Sequence, residues 1–181
     1  RVEGKLVADD AVALWEAAGR PDSLEAVCPQ CFEAPLAPHL AAAAEGRRLD
    51  RGLLVDGIEP WRRRCDVIVV EGAGGLMSPL GDDFYVANLA QAFGFPLVVV
   101  AANQLGTINH TLQTLLAAAA FGECLSVAGV VLNHPRDPVG DPSTATNAAQ
   151  LRLHCPRPLL AELAWRGNQF APEIDWFAWA S

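Results

Sequence analysis

Four short apolar runs punctuate the chain: residues 66–70 (DVIVV), 96–102 (PLVVVAA), 127–132 (VAGVVL) and 158–163 (PLLAEL). Each is β-branched or Leu-rich, and none alternates with polar residues. Such runs read as strands covered on both faces, the pattern of a parallel sheet. Helical patterns separate them. Residues 9–18 (DDAVALWEAA) open on acids and stop at Gly19. Residues 38–45 form a short Ala-rich helix, and residues 50–63 place Leu53, Leu54, Ile58 and Trp61 on one side. Helices over 83–93 and 107–121 follow later strands, and 141–153 opens with an Asp-Pro-Ser cap signal. The β-α-β-α-β-α-β alternation predicts right-handed crossovers in a doubly wound α/β fold, one domain over residues 1–181. The one Pro-rich loop is 133–142 (NHPRDPVGDP).

Composition narrows the function. The chain has 181 residues, 51% of them hydrophobic, enough to bury a sizeable core and to exclude wholesale disorder. A net charge of -8 argues against a nucleic-acid footprint, which needs clustered cations. The dense basic run Arg62-Arg63-Arg64 reads as a solvated helix end. The longest apolar runs fall well short of the roughly 20 residues a bilayer requires, so no membrane association is expected. Five scattered cysteines and no basic-apolar-small opening suggest reduced thiols and a cytoplasmic location. The chain opens at Arg1 and offers no first strand, the expectation for a fragment or a processed protein.

Three segments could carry chemistry. In residues 66–80 (DVIVVEGAGGLMSPL) an apolar run ends on Glu71, followed by Gly72, Gly74 and Gly75. Ligands in open α/β sheets bind beyond the carboxyl ends of strands. A carboxylate there suits Mg²⁺, and glycines let backbone N–H groups approach an anion. A tight turn with a surface acid is the bland alternative. In residues 103–110 (NQLGTINH), Gly106, Thr107 and Asn109 open a helix whose positive end would favour a carboxylate or phosphate; an ordinary Thr cap is as reasonable. Asn133, closing the third run beside His134, could read a planar base edge, or simply form an Asx turn. Asp9 and Asp10 complement a helix dipole, and Asp10 is also a candidate second carboxylate beside Glu71. Cys28 and Cys31 form a lone CxxC with only His39 near in sequence, too few ligands for a structural zinc. Ser78 lacks a GxSxG setting, so hydrolase chemistry has no support.

Taken in order, DDAVAL (9–14), APLAPHLAAAAEG (34–46), VEGAGGLMSPL (70–80), LGTINH (105–110), GVVLN (129–133) and PLLAELAW (158–165) resemble dethiobiotin synthase, a biotin-pathway ligase of the P-loop class. The resemblance spans nearly the whole chain and implies a mostly parallel P-loop NTPase-type sheet. It implies an enzyme that takes 7,8-diaminopelargonate, CO₂ and MgATP to dethiobiotin through a carbamate and a carbamic-phosphoric anhydride. By position, Asp10 and Glu71 resemble the Mg²⁺/ATP carboxylates, and Glu71, Gly72, Ala73 and Gly74 the nucleotide and substrate lining. Asn133 and His134 resemble the adenine-reading pair, and Ala164, Trp165 and Arg166 the later base-side loop. Gly106, Thr107, Ile108 and Asn109 resemble the helix start that receives the substrate carboxylate from the partner subunit of a homodimer.

The chain departs from the family in other places. No GxxxxGK-Ser/Thr loop occurs, and the single lysine, Lys5, sits in EGKLVADD rather than in the family's Lys-Pro-Val stretch. No catalytic residue is therefore assigned. Leu36-Ala37 replaces a usual Thr-Ser, and Gln104 stands where some members carry a basic residue. The chain resembles the family with its amino-terminal strand and phosphate cradle removed. Since phosphoryl transfer rests on positioning and charge stabilisation, such a chain alone is expected to be inactive. It is also expected to be poorly soluble, with backbone groups and apolar side chains left uncovered. Two alternatives stand beside the ligase: a non-catalytic dimerisation or binding module that has lost the P-loop, and an amidotransferase-type relative, against which LGTINH argues.

Overall fold

A computed structural model describes residues 6–180, with side chains through Ala178. Lys5 lies outside the described residues. The chain divides into two compact units, residues 1–93 and 94–181.

The first unit is mainly helical. Helix α1 (Asp9–Ala17) carries Asp9 and Asp10 in its first turn, with no side-chain cap at Ala8. It ends where Gly19 takes a left-handed φ of 77°, a conformation glycine adopts without strain. The short α2 (Leu24–Val27) is capped by Ser23, which accepts from Ala26 N–H at 3.2 Å. Helix α3 (Pro38–Ala44) begins with proline, whose missing N–H costs nothing in a first turn. The helix expected over 50–63 is two: α4 (Arg51–Asp56), capped by the Asp50 carboxylate, and α5 (Glu59–Arg62). Pro60 explains the break, because it can neither donate to the preceding turn nor clear its carbonyl. The basic run does end a helix, and Arg64 pairs with Asp22 at 2.7 Å.

Residues 66–70 do not form the expected strand. Val69 and Val70 are 79% and 44% exposed, and among the described residues no backbone ladder forms along the run. A β-branched sequence extends readily, but it becomes a strand only when a neighbour pairs with it. Among the described residues, the only ladder of this unit is a hairpin, β1 (Pro79–Gly81) against β2 (Phe84–Tyr85). That hairpin delays the helix expected from residue 83: α6 spans Val86–Phe93. The core of the unit includes Ala11, Ala41, Ala42, Ile58, Leu80, Ala87 and Phe93.

The second unit is a β/α layer built as the sequence suggests. Strands β3 (Leu97–Ala102), β4 (Val127–Asn133) and β5 (Leu159–Leu163) are parallel neighbours in that order. A short β6 (Phe170–Ala171) joins β5 antiparallel. Helices α7 (Thr107–Ala120) and α8 (Thr144–His154) make the crossovers. Strand β4 is enclosed, with Val130 and Leu132 fully buried. Strand β3, at the end of the order, is not covered on both faces as expected: Val98 and Val100 are 40% and 65% exposed. Gly129 permits the close approach of β5, since a Cβ there would lie 2.6 Å from Leu160 Cγ and 2.8 Å from Pro158 O. The tail ends in α9 (Trp176–Ala180), where Trp176 meets Phe170 edge-on at 5.3 Å. Among the described residues, no helix is long and apolar enough to cross a membrane.

Candidate functional site

In the second unit the chemistry gathers where β3 and β4 end. Asn103, the residue after β3, donates its N–H to the O of Asn133, the last residue of β4, at 2.7 Å. His134 follows directly, and its backbone N–H donates to Leu163 O at 2.9 Å, fastening the end of β4 to that of β5. Asn133 and His134 therefore stand beside the loop that begins at Ala164. Ala164, Trp165 and Arg166 are all exposed. The loop is held by Gly167 N–H donating to Ala164 O at 2.8 Å, with Arg166 at a positive φ of 56° and its guanidinium 5.2 Å from the Trp165 ring centroid. Both base-side segments of the sequence reading thus share one end of this sheet.

A buried polar network lies beneath them. Asn103 and Asn147 are each only 3% exposed. Asn147 Nδ2 donates to Asn103 Oδ1 at 2.8 Å, and Asn103 Nδ2 lies 3.0 Å from His134 Nε2. Sequence reasoning passed over both asparagines. The available signal for Asn103 was its place after an apolar strand, matching Asn133; Asn147 carried none, because its partner is distant along the chain. Asp141 ties the same region together. It accepts from the Leu105 N–H with one oxygen and from the Ser143 N–H and hydroxyl with the other. The Ser143 hydroxyl chiefly holds the Asp141 carboxyl below its usual range, helped by the backbone donors and opposed by desolvation.

Helix α7 opens on Gly106 at φ 96° with no side-chain cap. Thr107 is buried, and among the described residues the N–H groups of Ile108 and Asn109 meet no acceptor. A shallow cavity beside them is lined by Val100, Ala102, Gln104, Thr107, His110 and Thr111, among others. An anion would find free donors and a helix dipole at this end.

The first unit holds the other candidates. Asp10 sits exposed in the first turn of α1, and Glu71 is exposed in the loop that follows the unpaired run. Neither carboxylate has a protein partner among the described residues, so both lone-pair sets are available to a hard cation. They belong to no group of three or more ligating side chains among those residues. The N–H groups of Gly72, Ala73, Gly74 and Gly75 also meet no protein acceptor there. The glycines have packing reasons of their own. A Cβ at Gly72 would lie 2.7 Å from Val86 Cγ1, and one at Gly74, where φ is 87°, 2.5 Å from Ser78 Oγ. Cys28, Cys31 and the other cysteines are free thiols, and burial raises the Cys28 pKa, with Cys31 adding to it.

At the level of class, a family model described as AAA domain matches residues 3–170. The relatives are more particular. The chain is 40% identical over 176 residues to the ATP-dependent dethiobiotin synthetase BioD of Rhodopirellula baltica, covering 90% of this chain and 66% of the relative. It is 46% identical over 156 residues to that of Anaeromyxobacter dehalogenans strain 2CP-C, covering 86% and 69%. It is 37% identical over 165 residues to that of Bacillus licheniformis, covering 88% and 68%. The chain belongs to the ATP-dependent dethiobiotin synthetase family, and it spans about two thirds of the length of these relatives.

Proposed function

We propose that the chain is the greater part of an ATP- and Mg²⁺-dependent ligase that closes the cyclic urea of dethiobiotin from 7,8-diaminopelargonate and CO₂. The observation that carries this reading is the family membership itself. Several features of the geometry support it. Asn133, His134 and the 164–166 loop offer polar and aromatic groups to a base at one sheet end. The free N–H groups at Ile108 and Asn109 offer a seat to the substrate carboxylate, which in a homodimer would come from the partner subunit. Asp10 and Glu71 would hold Mg²⁺, which when bound supplies charge neutralisation to the phosphates. The free N–H run from Gly72 to Gly75 lies next to Glu71 in sequence and can accept a phosphate or substrate anion.

The reaction joins CO₂ to one amine as a carbamate, activates that carbamate by phosphorylation, and closes the ring when the second amine displaces phosphate. No residue of this chain is assigned the phosphoryl-stabilising role, since the sequence carries no GxxxxGK motif and one lysine only. The 181 residues by themselves should therefore bind ligands without turnover. The test is dethiobiotin formation from 7,8-diaminopelargonate, CO₂ and MgATP by the natural full-length protein. Product formation, lost on chelation of Mg²⁺ and largely lost in Glu71→Gln, is expected. Absence of product with all substrates present rejects the reading.

A further inference from the structure

We propose that Asn103 is a positioning residue that fixes the His134 ring as its neutral Nδ1–H tautomer, so that the outward nitrogen of His134 is a hydrogen-bond donor to a nucleotide base. The assignment follows from two carbonyls whose roles are not in doubt. Asn147 Nδ2 lies 3.2 Å from the backbone oxygen of Gln104, which can only accept. That end of Asn147 is therefore its amide nitrogen, and the atom of Asn103 facing it at 2.8 Å must be the oxygen. The other end of Asn103 is then nitrogen, as its 3.2 Å contact with Thr144 O independently requires. An amide nitrogen carries two hydrogens. One goes to Thr144 O, and the other points at His134 Nε2, 3.0 Å away. His134 Nε2 must accept it and so bears no proton, which leaves the ring proton on Nδ1.

Burial makes the lock firm. Asn103 and Asn147 are almost inaccessible, so turning either amide over would face oxygen with oxygen away from water. The third contact of Asn147 Nδ2, with Ser143 Oγ at 3.4 Å, has the same sense, because that hydroxyl gives its hydrogen to Asp141 at 2.6 Å. His134 Nδ1 has no protein partner among the described residues. It is also not sealed from solvent, since the one buried side-chain nitrogen lacking a partner there is His39 Nδ1. A ligand acceptor such as a purine ring nitrogen is therefore what this atom can receive. The ligand side of the inference rests on the proposed function; the tautomer does not.

Nitrogen-15 NMR of the imidazole in the full-length protein, with and without ADP, tests both. A pyridine-type signal at Nε2 and a pyrrole-type signal at Nδ1 are expected without nucleotide. In Asn103→Asp the donor facing Nε2 becomes an acceptor, and His134 should move its proton to Nε2 or hold two. Asn103→Ala should weaken ADP about tenfold, the effect of one disoriented hydrogen bond. A wild-type ring protonated at Nε2 would overturn the proposal without any variant being made. An unchanged ADP affinity in a folded Asn103→Ala protein whose ring has redistributed would overturn the donor role of His134 toward the base. If the wild-type tautomer is as expected but ADP binds without moving any His134 signal, the base-side reading of His134 fails while its orientation by Asn103 stands.

Discussion

At the scale of single residues, Asp141 links the loops after β3 and β4. Its folded-state pKa is depressed from an ordinary value of 3.8, chiefly by the Ser143 hydroxyl. A depressed carboxylate contributes stability that is fully present above the unfolded value and disappears as pH falls through the folded one. The acid limb of a thermal stability profile should therefore drop from about pH 4 downward, as unfolded Asp begins to take up protons. Asp141→Asn should lower the melting temperature at neutral pH and flatten that limb, which scanning calorimetry across pH would reveal. Asp22 behaves in the same sense through Arg64, but it is exposed, and salt should weaken its share. Gly74 is a second sensitive position. Alanine there meets both a left-handed φ and the Ser78 oxygen, and Gly74→Ala should cost about 1–3 kcal/mol in denaturant unfolding.

Among the elements, β4 supports the second unit. Leu132 is completely buried, so Leu132→Ala should cost about 2–5 kcal/mol. Gly129→Ala should be destabilising by about 1–3 kcal/mol for the opposite reason, overpacking against Leu160 and Pro158. Equilibrium unfolding in guanidinium checks both. Strands β3, β4 and β5 were legible because each apolar run is long enough to pair along its length. The run at 66–70 has the same composition and is no strand, because pairing is a property of two segments and composition describes one. The hairpin of β1 and β2 went unread since strands of two or three residues carry no period. The break between α4 and α5 had a visible cause in Pro60 that the apolar spacing of Leu53, Leu54 and Ile58 obscured. At the candidate site, the place of Asn133 and His134 at the end of β4 was readable from the apolar run before them. The asparagine pair beneath was not, because its members lie 44 residues apart and meet only through folding.

On the scale of the whole molecule, the composition foretold a core and the second unit has one, but its sheet is finished on one side only. Among the described residues, strand β3 pairs with β4 alone, and its two outward valines are partly bare. An open edge with apolar neighbours invites other chains. The 181 residues should accordingly associate with rising concentration in sedimentation velocity, and Val100→Lys should reduce that association without lowering secondary-structure content. A monodisperse monomer at high concentration would count against this.

The bond between His134 N–H and Leu163 O has a practical corollary for anyone altering the molecule. It welds the turn after one strand to the turn after the next, so neither can be transplanted from a relative by itself. A graft of the proposed base-side loops would need residues 133–134 and 164–166 from the same donor.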